Sequence, residues 1–208
     1  MKTQINKQTC LVLFAAAILI FSYSYAVADN LNPPAYVGDP LSVHAEWQVV
    51  FGTTTLNLSQ WSSVDDSDPT TNLYPFFTPS PTVQPNGDIY QLQLPNWVDQ
   101  MPVKYMRLQL TWMGNPQPPV NIFSEGLDGV NLISGVIVNT SPTQTLPPAF
   151  TYQYYDFEFH PNLDFERVHV QVAPGAVLSQ IVIDTVSVPE PATMGLLALG
   201  SLVLRRRK

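Results

Sequence analysis

The middle of the chain alternates apolar and polar residues with a period of two, which is the pattern of strands that bury one face. The alternating segments are residues 42–51, 88–94, 106–112, 152–160, 165–173 and 177–188. Their spacing is typical of an antiparallel sandwich. Residues 129–138 (GVNLISGVIV) instead form a nearly continuous aliphatic run. Such a run predicts a central strand that is buried on both faces.

Prolines separate these segments from one another. All 20 prolines lie between Pro33 and Pro191, and the predicted strands avoid them. Residues 29–188 contain no convincing amphipathic helix. Seven or eight strands in this length predict an all-β fold, namely an antiparallel two-sheet β-sandwich that resembles a jelly roll. We therefore expect a sandwich domain at residues 42–188, preceded by a flexible leader at residues 29–41.

The first 28 residues have the three parts of a secretory signal peptide, whose core is an apolar helix. Lys2 and Lys7 supply the basic start, and residues 11–21 (LVLFAAAILIF) supply the apolar core. Ala26 and Ala28 form the small-x-small site, so we expect signal peptidase to cut after Ala28. The alternative is a retained anchor helix, but the apolar core is much shorter than the roughly 20 residues that span a bilayer.

The last 20 residues, 189–208, combine three features in order. A Pro-Glu-Pro tripeptide precedes an uncharged stretch at residues 192–204, which predicts a short apolar helix, and a basic cluster ends the chain. The residues of the tripeptide and the cluster are Pro189, Glu190, Pro191, Arg205, Arg206, Arg207 and Lys208. The basic cluster is expected to stay in the cytoplasm under the positive-inside rule. This tail resembles the PEP-CTERM sorting signal.

The resemblance implies a route out of the cell. In that family, exosortase, a membrane-embedded enzyme similar to a transpeptidase, removes the tail and releases or transfers the protein toward the cell surface and its extracellular polysaccharide. A 13-residue helix spans roughly 20 Å, which is less than the hydrocarbon core of a bilayer. That length suits a transient hold in the inner membrane, although a permanent tail anchor remains the alternative.

A looser resemblance concerns the predicted sandwich itself. The run from Tyr155 to Val186 contains a Pro174-Gly175 turn and leads directly to the Pro-Glu-Pro tripeptide. It is similar to the terminal strands of exported PEP-CTERM proteins with galactose-binding-like folds. That similarity implies a jelly roll.

Charge and cysteine content narrow the function classes. Residues 29–188 carry fifteen acidic and only three basic side chains, so their net charge is −12. A negative field of this size repels nucleic acid, which excludes nucleic-acid binding, and it also repels anionic membrane surfaces. The single cysteine, Cys10, lies in the predicted signal peptide. The predicted domain therefore has no disulfide, thiolate nucleophile or cysteine-ligated metal.

The sequence offers little evidence for a catalytic site, so we expect a protein that is not an enzyme. His44, His160 and His169 lack metal-ligand spacing, and we interpret His44 and His169 as solvent-facing strand residues. The pairs Asp156/Glu158 and Asp164/Glu166 each share a strand face, which would suit a glycosidase or lyase if they lined a cleft. We favour outer-face surface residues for all four carboxylates.

Two groups of residues are candidate binding sites. Asp65, Asp66 and Asp68 place several carboxylates in one loop, which suits Ca²⁺, although a solvated turn is the interpretation that we favour. Trp61 and Trp97 lie in proline-flanked regions that resemble loops, where exposed rings could stack on sugars. Packing beneath a loop is the alternative that we favour for both rings.

These observations together predict a non-enzymatic protein that is exported to the cell surface or the extracellular matrix. Its role would be structural or adhesive, and exosortase would process its C-terminus. The alternative is a carbohydrate-binding module, with calcium as an optional stabilising ion and extracellular polysaccharide as the partner.

Overall fold

The computed structural model describes residues 30–49, 56–67, 72–73, 82–83, 89–99, 101–128 and 131–188. Within these ranges the chain forms fourteen strands. They are β1 (Ser42–Val49), β2 (Leu56–Ser63), β3 (Asn72–Leu73), β4 (Thr82–Val83), β5 (Ile89–Pro95), β6 (Trp97–Val98), β7 (Val103–Gly114), β8 (Asn121–Asp128), β9 (Asn131–Ser134), β10 (Val136–Thr140), β11 (Gln144–Leu146), β12 (Phe150–Phe159), β13 (Phe165–Gln171) and β14 (Ala176–Val188).

The strands form two main antiparallel sheets. The larger sheet has eight strands in the order β10-β12-β7-β14-β1-β2-β4, with β11 paired to β12. The smaller sheet has four strands in the order β5-β13-β8-β9, and β3 and β6 form a separate two-stranded pair. The predicted all-β sandwich of two antiparallel sheets is confirmed.

The core lies between the two sheets and is built by the predicted alternation. From β7, Met106, Leu108 and Leu110 are fully buried, and from β13, Val168 and Val170 meet them. Side chains two residues apart on a strand share a face, so each alternating segment contributes one apolar row. Burial of these rows is the main stabilising contribution to the fold.

β14 is the longest strand and lies inside the larger sheet. It pairs with β7 from Ala176 to Val188 and with β1 from Gln180 to Val186. Its β-branched side chains suit a strand that is covered on both sides. The last residue before the predicted sorting tail is therefore paired with Val103 in the middle of the sheet.

The prediction of one central strand at residues 129–138 is wrong for the described part of that segment. The chain instead forms two edge strands, β9 in the smaller sheet and β10 in the larger sheet, with Gly135 between them. Leu132, Val136 and Val138 are exposed. A run of aliphatic residues does not distinguish a buried strand from a chain that crosses between two sheet edges.

Several strands lie outside the predicted segments, and the two longest of them, β2 and β8, carry little apolar signal. β2 (LNLSQWSS) is mostly polar, and it pairs along β1 with a register shift opposite Glu46 and Trp47. β8 (NIFSEGLD) places Ser124 and Gly126 on its buried face. At Gly126 a Cβ would collide with the Phe165 carbonyl oxygen, so close backbone packing replaces side-chain bulk there.

The outer face of the larger sheet is polar, as predicted, but much of it is buried. Glu46, Gln109, Gln180 and Asp184 are almost inaccessible. Part of this cover comes from the segment expected to be a flexible leader. Residues 35–41 form turns, in which the Asp39 amide donates to the Tyr36 carbonyl at 3.0 Å and the Tyr36 hydroxyl donates to the Asp184 carbonyl at 3.2 Å.

Candidate functional site

A polar network crosses the outer face of the larger sheet. His44 of β1 lies directly opposite Asp184 of β14, and its Nδ1 is 2.7 Å from Asp184 Oδ1. Gln109 of β7 donates to the other oxygen of Asp184 at 3.4 Å. The hydrogen bond to Asp184 raises the pKa of His44, although partial burial opposes that shift. The expectation that His44 faces solvent is corrected, because its side chain is mostly buried.

The network ends in an ion pair between β7 and β12. The Arg107 guanidinium donates from Nε and Nη2 to the two oxygens of Asp156, at 2.6 and 2.9 Å. Asn139 of β10 also donates to Asp156, at 2.9 Å. The guanidinium carbon of Arg107 lies 4.2 Å from the centre of the Tyr154 ring. A two-point hydrogen bond and an aromatic face hold this guanidinium in one orientation.

A pocket of about 210 Å³ opens beside this ion pair. It is lined by Tyr36, Tyr105, Met106, Arg107, Val138, Asp156 and Phe157. Burial is the main reason that the pKa of Tyr36 is raised, so its hydroxyl remains a neutral hydrogen-bond donor. Aromatic faces beside fixed polar groups can bind a small polar organic group. The opposite charges of Arg107 and Asp156 offset each other, which suits binding better than acid-base chemistry.

Sequence reasoning did not identify this pocket. Alternation places Arg107 and Asp156 on the polar face of their strands, but it cannot show that the two strands are neighbours. Tyr36 comes from the turn segment and had no distinguishing sequence signal.

The two candidate tryptophans lie in different environments. Trp61 belongs to β2, near the edge of the larger sheet, and its residue surface is 41% exposed. Trp97 belongs to β6, is only 7% exposed, and donates from its indole nitrogen to the Ser42 carbonyl at 3.4 Å. Both residues therefore lie in strands, whereas loops were expected. Of the two, Trp61 offers surface to a ligand.

The candidate calcium loop is described only in part. Asp65 Oδ1 accepts a hydrogen bond from the Ser67 amide at 2.9 Å, and Ser67 has a positive φ of 66°. This contact forms an Asx turn, a common local role for aspartate. Asp68 lies outside the described residues. Over the described ranges, no group of three or more His, Cys, Asp or Glu side chains is arranged to hold a metal ion.

The carboxylate pairs do not share one environment. Asp156 is bound to Arg107, and Glu158 contacts His160, both on the outer face. Glu166 instead points between the sheets and is fully buried, so its expected place on the outer face is corrected. Burial raises its pKa to about 7.

His169 also departs from the expected solvent-facing position. Its ring stacks on Phe123 with a centroid distance of 4.2 Å, and its Nε2 is 3.5 Å from Glu125 Oε1. Burial lowers its pKa.

The two predicted processing signals lie outside the described residues. These are the cleavage site at Ala26 and Ala28 and the sorting residues Pro189, Glu190, Pro191, Arg205, Arg206, Arg207 and Lys208. In the portion that is described, no helix has the length and hydrophobicity needed to cross a lipid bilayer.

Comparison with known families identifies the tail. Residues 187–208 match the family model of the PEP-CTERM protein-sorting motif. The predicted resemblance of the tail is thus confirmed, and the motif implies an exported protein that an exosortase processes and sorts to the cell surface. No curated protein matches the chain. The matched range begins at Ser187, which is still inside β14.

Proposed function

We propose that this chain is a non-enzymatic, structural or adhesive protein of the cell surface or extracellular matrix. The observation that carries the proposal is the sorting motif, which continues without a linker from the central strand β14. In this proposal the predicted signal peptide directs export, the predicted C-terminal apolar helix holds the chain transiently in the inner membrane, and exosortase then removes the tail. What remains outside the cell is the β-sandwich.

Two properties of the sandwich support an extracellular role. Its large negative charge keeps it soluble and dispersed after release. Its outer face carries ion-paired or hydrogen-bonded polar groups, as at Arg107 and Asp156. A face with fixed polar groups is suited to binding other molecules outside the cell.

The test is the intact mass of the protein recovered from the surface or medium of the cell that makes it. We expect the wild-type product to lack residues 1–28 and the terminal Arg205–Lys208 cluster. A variant with alanine at Pro189, Glu190 and Pro191 should keep the cluster and remain in the membrane fraction. Thr193→Ala, a change just outside the tripeptide, is the matched control and should be processed normally. Recovery of exported wild type with its terminal arginines intact would contradict the proposal.

The second candidate function is a carbohydrate-binding module for extracellular polysaccharide. It is favoured by Trp61, whose residue surface is 41% exposed on the mostly polar strand β2. Aromatic rings in polar surroundings stack on the apolar faces of sugars. Such a module is consistent with the predicted resemblance to galactose-binding-like folds. Its candidate Ca²⁺ ligands are Asp65, Asp66 and Asp68.

Tryptophan fluorescence during titration with soluble polysaccharides tests this second function. Binding should shift the wild-type emission and disappear in Trp61→Ala. The exposed neighbour Gln60→Ala serves as the matched control and should bind as wild type does. A chelator should weaken binding if calcium orders the loop. Equal binding by Trp61→Ala and wild type would contradict a role for this ring.

A further inference from the structure

Three polar side chains meet in the core between the two sheets. Lys104 of β7, Asn96 at the end of β5 and Glu166 of β13 are all fully buried. Glu166 Oε1 lies 3.6 Å from Lys104 Nζ, and the same oxygen accepts a hydrogen bond from Asn96 Nδ2 at 2.5 Å. One carboxyl oxygen therefore contacts both an amine and a primary amide in a site closed to solvent.

The neighbouring groups fix the orientation of this cluster. The Asn96 Oδ1 atom accepts from the Trp97 amide at 2.9 Å, and Asn96 Nδ2 also donates to Thr185 Oγ1 at 3.0 Å. Lys104 Nζ donates to the Leu163 carbonyl at 2.5 Å. Because a backbone N–H can only donate, these contacts fix which end of the amide faces Glu166.

As a simple ion pair, this arrangement is poorly compensated. Two charges withdrawn completely from water need excellent hydrogen bonding to offset their desolvation. Glu166 Oε2, however, has no hydrogen-bond partner among the described residues. Burial lowers the pKa of Lys104 and raises the pKa of Glu166 to about 7. Both effects favour a neutral amine beside a neutral carboxylic acid, and a neutral amine is a nucleophile.

We propose that Lys104 and Asn96 form an intramolecular isopeptide bond, with Glu166 transferring the protons. The lone pair of Lys104 Nζ attacks Asn96 Cγ, and the amide oxygen takes on negative charge that the Trp97 N–H stabilises. Glu166 accepts a proton from Nζ and donates one to Nδ2. The Cγ–Nδ2 bond then breaks and ammonia leaves, so the new Nζ–Cγ amide forms without oxidant, reductant or cofactor.

The location gives the bond a structural purpose. Asn96 follows β5 of the smaller sheet, and Lys104 is the second residue of β7 in the larger one, so the bond joins the two sheets. β7 pairs with the whole of β14, which continues into the sorting motif. The described domain also has no cysteine. An amide cross-link would brace this domain independently of the redox conditions outside the cell.

Peptide mapping of the full-length chain tests the proposal directly. A protease that cuts before aspartate separates residues 88–98 from residues 99–127. We expect these two peptides to remain joined as one branched peptide that is lighter than their sum by one ammonia. Tandem mass spectrometry should place the junction at Asn96 and Lys104.

Two variants serve as controls for the chemistry. Lys104→Met removes the nucleophile and keeps the length of the side chain, so it should give two separate, unmodified peptides. Glu166→Gln keeps the shape but cannot transfer the proton, so it should leave the peptides unlinked in nearly every molecule.

Several results would overturn the assignment. Unmodified linear peptides from the wild-type chain would show that the cluster is an ion pair only. A linear 88–98 peptide that has lost ammonia would indicate a succinimide at Asn96. Asp99 and Asn162 contact each other at 2.8 Å and are the alternative acceptors. A bond from Lys104 to Asn162 would join residues 99–127 to residues 156–163, and a bond to Asp99 would close a loop within residues 99–127 with the loss of water. Either product would show that Asn96 is not the acceptor. The wild-type map decides among these outcomes even if a variant fails to fold.

Discussion

His44 and Asp184 form a contact on the outer face that responds to pH. Asp184 is almost fully buried, and His44 Nδ1 lies 2.7 Å from one of its oxygens. The folded state raises the pKa of His44 above its ordinary value of 6.5 because it donates to this carboxylate. A group that binds its proton more tightly in the folded state links stability to pH.

We therefore expect His44→Gln to remove part of the pH dependence of stability. The contribution of protonated His44 is complete below pH 6.5 and is lost as the pH rises through its folded-state pKa. The difference in unfolding free energy between wild type and variant should be largest at the acidic end and shrink toward alkaline pH. Urea titrations from about pH 5.5 to about pH 8.5 measure it, across the range in which histidine titrates. A difference that stays constant or grows toward alkaline pH would contradict this assignment. His169 contributes equally to wild type and variant, so its opposite effect cancels when the two unfolding free energies are subtracted.

Gly135 is required by close packing at the point where the chain leaves β9 for β10. A Cβ at this position would overlap the ring of Phe159, which is fully buried in the core. We expect Gly135→Ala to destabilise the fold by about 1–3 kcal/mol, the range for overpacked cores. Adding Phe159→Leu should recover part of that loss, and a double-mutant cycle in urea measures the coupling. Additive effects would argue against the overlap.

The sequence did not predict which individual polar residues are buried. Alternation correctly assigned Met106 and Leu108 of β7 to the inner face. Lys104 of β7 and Glu166 of β13 also occupy inner positions. A charged side chain at the end of a strand looks like a surface residue. Its burial depends on partners from other segments of the chain, such as Asn96, and these are adjacent only in the folded chain.

At the scale of strands, exposure separates residues that look alike in the sequence. Val136 of β10 is 64% exposed at a sheet edge, whereas Val168 of β13 is 0% exposed between the sheets. Both are valines in short β-rich segments. The nearly continuous aliphatic run at residues 129–138 predicts a central strand, but β-branched residues favour strands at sheet edges and centres alike. Only the pairing order shows which strand is covered.

A matched pair of substitutions tests this difference. Val→Thr keeps the shape of the side chain and replaces a methyl group with a hydroxyl. At Val168 the buried hydroxyl should cost about 1–3 kcal/mol of unfolding free energy. At Val136 the same change should stay within about 0.5 kcal/mol of wild type. Urea midpoints of the two variants measure both effects, and a large loss at Val136 would show that β10 is covered in the folded protein.

At the scale of the molecule, the sorting motif and the fold share residues. Ser187 and Val188 belong to the matched motif and also pair with Lys104 and Val103 in the sheet. The order of the tripeptide, the apolar stretch and the basic cluster was enough to predict the sorting motif. The position of β14 between β7 and β1 was not readable from the sequence, because strand order depends on contacts between distant segments. That position determines how much of the chain can be removed without loss of the fold.

Truncation therefore has a sharp expected boundary. A chain that ends at Val188 keeps every β14 pair with β7 and β1, so its urea midpoint should equal that of the chain with its tail. A chain that ends at Gln180 loses the buried Ile181 and Ile183 and most of the pairing with both neighbours, so it should be unfolded. Far-UV circular dichroism and urea titration of the two truncated chains measure this contrast. If the chain ending at Val188 also unfolded, the sandwich would need its tail, and removal of the tail by an exosortase could not yield the stable extracellular domain proposed here.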